Sequence, residues 1–223
     1  MEEEKQQLLA AFDAFLSPEN QARKEANEYL IGQLHADQNL FCKIFSIYLT
    51  AQYNIHRKLS AIILKVIVSK YFDILKPNIE QFLALLKNAI ENTNDFYLFH
   101  NLSEIVYQVA IKIKDYCQYV PCCLILYQQN MTFLPFCFYL YRSIFSNIEL
   151  RSIYVECLRQ IQCDIIFGCV QIDDKDFRFD TFQLFCMITQ EYDGKEKVPE
   201  QYQIVLQHLL GIAVQPYFLN EIQ

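Results

Sequence analysis

A skeleton of residues that returns after 34 positions constrains this chain more than any other feature. N-Q-A-R-K-E-A-N-E-Y-L runs from Asn20 and N-I-H-R-K-L-S-A-I-I-L from Asn54, so Asn, Arg, Lys, a small residue and Leu recur in register. A unit of a few tens of residues cannot bury its own apolar face, so such units must stack on their neighbours. Asn or Asp precedes an apolar-periodic run at Asn20, Asn54, Asn94, Asn130 and Asp174, with offsets of 34, 40, 36 and 44 residues. Each of these is read as a helix N-cap, whose side chain accepts from otherwise orphaned N–H groups.

Offsets scattered around 40 suit HEAT-like units of about 40 to 47 residues, shortened in places, better than a strict ankyrin or tetratricopeptide period. Second helices fall near 20–34, 54–72, 95–113, 131–146 and 174–191, and first helices near 3–16, 38–52, 78–91, 115–128, 148–162 and 199–214. With 4 Gly and 6 Pro in 223 residues and no sustained two-residue alternation, the sequence argues against sandwiches, barrels and doubly wound sheets. The expected fold is all-α: an α-solenoid of about five to six HEAT-like antiparallel helix pairs in a right-handed superhelical array, a single array over 1–223. Leu59, Ile62, Ile63, Val66 and Ile67 leave little of the second helix polar, so that helix is expected to be sandwiched between neighbours. Pro121 and Pro135 are expected to kink or restart their helices. The run EYDGKEK, 191–197, reads as a loop, and the apolar helix YQIVLQHLLGIAV, 202–214, has no partner after it, so the chain reads as part of a longer solenoid.

Composition narrows function by exclusion. No GxSxG, GxGxxG or GxxxxGK[ST] motif is present, and the four histidines are scattered over different repeats, so an enzyme is not expected and no cofactor is implied. A net charge of −7 disfavours a surface that tracks phosphates, so nucleic acid is not an expected partner. Nine cysteines form no CxxC pair; they read as buried, reduced thiols in core helices, Cys117, Cys122 and Cys123 included, rather than as disulfides or zinc ligands. No apolar run is long enough for a membrane span, since IILKVIV and FLPFCFYLY are broken by Lys65 and Pro135.

Two stretches resemble a known family, the N-terminal region of importin-beta-like nuclear transport receptors, the karyopherins. LLAAFDAFLSPENQARKEANEYL, 8–30, is similar to the family's first HEAT unit, with its short Ser-Pro turn and its Arg-Lys before a small residue. HRKLSAIILKVIVSKYFDILKP, 56–77, is similar to the second, with Leu64, Lys65 and Phe72 on the Leu-Lys and closing aromatic positions. Val66 and Phe72 stand where many importins have Asn and Trp, and Ser69, Phe72, Asp73 and Pro77 resemble the importin beta-three class more closely. The resemblance covers 1–115 and fades over 116–223, which reads as divergent HEAT-like repeats.

That likeness implies a receptor shuttling between cytoplasm and nucleus. Its N-terminal repeats would grip the small GTPase Ran in its GTP form, Phe-Gly nucleoporins would dock between first helices, and an unspecified cargo would sit deeper in the array. Lys24, Lys58 and Lys65 are the candidate Ran contacts. Lys65 also has a plainer reading, its stem lying along the core edge. Arg23 and Arg57 share one repeat position and read as internal bonds to a helix end or acidic group of the next unit. A generic HEAT scaffold that assembles proteins without Ran is the other reading.

Overall fold

The computed structural model describes residues 2–113, 118–191 and 207, and every regular element among them is helical. The expected helix at 202–214, the loop at 191–197 and Cys117 lie outside the described residues, apart from Glu191 and Gln207. The chain divides into two compact units, Met1–Tyr116 and Cys117–Gln223.

The first unit contains α1 (Glu2–Phe15), α2 (Asn20–Ala36), α3 (Leu40–Thr50), α4 (Asn54–Lys70), the single turn α5 (Phe72–Leu75), α6 (Ile79–Glu91) and α7 (Phe96–Lys112). Turns of three or four residues join α1 to α2, α3 to α4 and α6 to α7, and each joined pair packs together. First helices then stack on first helices: Phe82 of α6 sits 5.7 Å from Phe41 and 5.3 Å from Phe45 of α3, ring centre to ring centre. All three rings are fully buried, each contributing about 1.5–3 kcal/mol by leaving water. Second helices stack as well, α4 along α7. Lys58 lies over Tyr97 and Lys65 pairs with Glu104, and the shared offset of 39 residues means that the two helices run parallel.

The arginine position has two different fates. Arg57 donates to the carbonyl oxygens of Tyr48 at 3.1 Å and Asn92 at 3.3 Å, and its guanidinium covers the Tyr48 ring at 5.2 Å. Asn92 ends α6, so Arg57 ties the end of the next first helix to its own unit, as expected. Beneath it the buried Tyr48 hydroxyl hydrogen-bonds to the Thr93 hydroxyl, which donates to Ala89 O at 2.7 Å. Arg23, by contrast, is exposed and, among the described residues, bonds to Asn20 at its own helix start. Arg57→Ala is therefore expected to cost about 2 kcal/mol, from charged hydrogen bonds and ring stacking. Arg23→Ala should cost less than about 0.5 kcal/mol. Urea melts of the two variants test this, and equal losses would contradict it.

Caps differ from the sequence reading in three places. Asn20 and Asn54 are the first helical residues rather than caps, and the preceding Glu19 and Tyr53 make no side-chain cap bond. Asn54 instead reaches Asp95 at 3.4 Å. Asp95, not Asn94, caps α7, accepting from Leu98 N at 3.0 Å. Asn130 and Asp174 do act as caps, accepting from Thr132 N and Phe177 N.

The second unit contains α8 (Tyr119–Leu124), α9 (Leu126–Gln129), α10 (Leu134–Ser146), α11 (Ile148–Ile153), α12 (Val155–Val170) and α13 (Lys175–Glu191). Here α10 is the enclosed helix, every residue buried but Tyr139, Arg142, Ser143 and Ser146. Phe138 meets Phe177 of α13 at 4.8 Å, and Arg142 bonds to Asp180 at 2.7 Å and Gln183 at 3.0 Å. Gly168 lets α12 sit close to Leu134, because a Cβ there would stand 2.7 Å from a Leu134 methyl. Pro121 and Pro135 fall in the first turns of α8 and α10, where no helical N–H is needed. The break in the expected 115–128 helix falls at Ile125 instead, whose φ of −101° and ψ of 7° leave the helical region. The expected 148–162 helix likewise divides at Tyr154.

Candidate functional site

The three candidate lysines do not form one cluster. Lys24 stands on α2 with 70% of its side chain exposed, 3.8 Å from Glu28 one turn on. Lys58 and Lys65 lie two turns apart on α4, both engaged with α7: Lys58 over the Tyr97 ring at 4.8 Å, Lys65 at 3.8 Å from Glu104. Lys65 keeps 38% of its side chain exposed, so the pair with Glu104 is worth at most about 1 kcal/mol. The Lys65 head is thus held at the edge of α4 beside α7 and stays open to solvent.

A groove that the sequence reading did not expect lies on the other side of α4. The helix is not sandwiched: it packs along α7 but barely touches α2, leaving an apolar cleft of about 270 Å³. One wall is Asn27, Leu30, Ile31 and Leu34 of α2; the other is Leu59, Ile62, Ile63, Val66, Ile67 and Lys70 of α4. Phe15, Leu40 and Tyr71 complete the lining. Two contacts flank the cleft. Near the start of α4, His56 bonds to Asp13 of α1 at 2.7 Å, so α4 leans on α1 where a regular stack would place α2. At the far end the His35 ring meets Tyr71 edge-on at 6.2 Å. Between those ends Ile62 and Val66 each keep 38% of their surface exposed.

The lining holds a single charge, Lys70, which is exposed and has no ion-pair partner among the described residues. Lys24 lies three and seven residues before Asn27 and Ile31, which puts it on the stripe of α2 that forms the wall. The signal in the sequence was the stripe Leu59, Ile62, Ile63, Val66 itself. Periodicity shows such a face but not what covers it.

The cysteines are less buried than expected. Cys123, Cys137 and Cys169 are buried, Cys42, Cys157, Cys163 and Cys186 are half-buried, and Cys122 is exposed, all of them free thiols. Burial pushes the Cys137 thiol up to about 12 and Cys169 well above the ordinary value. Protonated thiols of this kind are poor nucleophiles and poor metal ligands. Among the described residues no three His, Cys, Asp or Glu side chains gather as a metal site, and no helix is long and apolar enough to cross a membrane.

The fold and the groove define an all-helical protein of stacked helix pairs with an open cleft between two second helices. No family model, curated protein or solved structure matches the chain.

Proposed function

We propose that this chain is the N-terminal part of an importin-beta-like nuclear transport receptor, a protein-binding array that takes Ran in its GTP form. Support comes from the likeness of 8–30 and 56–77 to the first two units of that family, and from one observation of packing. The first helices α3 and α6 stack on each other and the second helices α4 and α7 stack in parallel, which places Lys58 and Lys65 along one edge of a shared second-helix face. Continuation of the pairs as one right-handed superhelix, docking of Phe-Gly nucleoporins, carriage of a cargo, and shuttling between cytoplasm and nucleus belong to the same proposal. A pull-down with Ran loaded with GTP or GDP tests it: retention of the GTP form alone is expected.

Lys24→Glu is the cleanest variant, since among the described residues Lys24 holds one exposed ion pair. It should weaken Ran binding about tenfold with an unchanged melting temperature. Lys65→Glu should also weaken binding, but it sets a second carboxylate beside Glu104 and should lower stability by up to about 1 kcal/mol. Binding unaffected by either reversal would remove those lysines from the site.

A scaffold that assembles proteins without Ran is the second reading. It is favoured by the engagement of Lys58 and Lys65 with α7, which leaves the apolar groove as the more open feature of α4. Equal retention of the two nucleotide forms, or retention of neither, would favour it.

A further inference from the structure

We propose that the cleft between α2 and α4 receives the apolar face of a short amphipathic helix from a partner protein, with carboxylates on the flank of that helix that meets Lys70 and Lys24. The inference begins from shape. Leu59 and Lys70 mark the ends of the α4 wall, and eleven residues at 1.5 Å rise span about 16 Å, or three turns of a ligand helix. Side chains repeating at three and four residues on both walls offer ridges between which such a helix lays its own i, i+3 or i+4, and i+7 residues. Exposed Ile62 and Val66 supply the apolar contact, and the 270 Å³ volume accommodates anchor side chains rather than a folded domain.

Charge selects among occupants. The chain as a whole carries −7, yet no carboxylate lines the cleft. Lys70 is in the lining, and Lys24 extends the α2 wall at its N-terminal end. A basic helix would meet the like charge of Lys70 in the lining, and an uncharged segment would leave Lys70 unmatched. A flank of Glu or Asp would pair with the lysines at both ends and fix how the helix is rotated in the cleft. The proposal does not rest on Ran: the nucleotide-dependent pull-down and the peptide assay below can fail separately.

The probe is a fluorescently labelled synthetic peptide of about fifteen residues with Leu at helical spacing and Glu on its flanks, and a twin with Lys in place of Glu. Binding to the full chain is followed by anisotropy at two salt concentrations. The Glu peptide should saturate, bind at least tenfold more tightly than its twin, and weaken as salt rises. Lys70→Glu should reduce that preference about tenfold, and Ile62→Asp should abolish binding with the helical circular dichroism signal retained. If Ile62→Asp does not fold, Val66→Asn serves in its place. Equal binding of the two peptides, no binding, or full binding to the folded groove variant would overturn the proposal. So would a dimer in sedimentation that the groove variant dissociates, since the occupant would then be a second copy of this chain.

Discussion

Replacing Phe82 with Ala is expected to remove about 3–5 kcal/mol from the stability of the first unit. The ring is fully buried where α6 crosses α3, with Phe41 and Phe45 at 5.7 Å and 5.3 Å. Deleting it loses the transfer energy of the ring and leaves a cavity that two rigid aromatic neighbours cannot refill. Domains of this size hold a margin of only about 5–15 kcal/mol, so the variant should be close to unfolding at 37 °C. Guanidinium melts monitored at 222 nm test this, with Phe96→Ala as the control. Phe96 opens α7 with 38% of its surface exposed and should cost less than about 1 kcal/mol. A loss below about 1 kcal/mol for Phe82→Ala would mean that α3 and α6 are not packed in solution as described.

Alkaline pH should destabilise the fold, most of all the second unit. Burial pushes Cys137 up to about 12 and Cys169 well above its ordinary value of 9.0. Burial, reinforced by Asp180 and Asp174, pushes Tyr139 up to about 12. In the first unit burial raises Tyr48, opposed by its bond to Thr93. These groups are neutral when protonated, and the folded state holds their protons more tightly than the unfolded chain does. Their contribution is therefore complete below about pH 9 and is lost as pH rises toward 12, first with thiol and then with phenol ionisation of the unfolded chain. Each such proton adds about 1.4 kcal/mol per pH unit to the slope. Urea melts under reducing conditions at pH 8, 9.5 and 11 should show stability falling across the last two. Cys137→Ala should make the fall shallower, and a level profile to pH 11 would refute this account.

Much of the paired-helix architecture was legible because helical periodicity and turn residues are local signals. Bounds for α2, α6 and α10 came within a few residues of their expected ranges. Arg57 could be placed as an internal tie because its repeat position fixed which helix end lay opposite. The same logic failed for Arg23, which bonds to Asn20 at the start of its own helix. Asn20 and Asn54 misled as caps because a side chain that can cap also tolerates the first helical position. Asp95 stands one residue from the expected Asn94, and both residue types satisfy the same cap preference.

The sequence by itself determined that the chain is helical, that its helices come in pairs, and that α4 carries apolar residues around most of its circumference. Those properties follow from side-chain spacing along one helix, which needs no knowledge of neighbours. Tertiary structure alone decided which part of α4 is covered. Where α4 packs on α3 and α7, Ser60, Ala61, Leu64 and Val68 are fully buried, whereas Ile62 and Val66 line the cleft beside α2 and stay exposed, and His56 bonds to Asp13 of α1. A groove is a relation between two helices brought together by a third, and partners 43 residues apart leave no periodic trace in the sequence that could announce it.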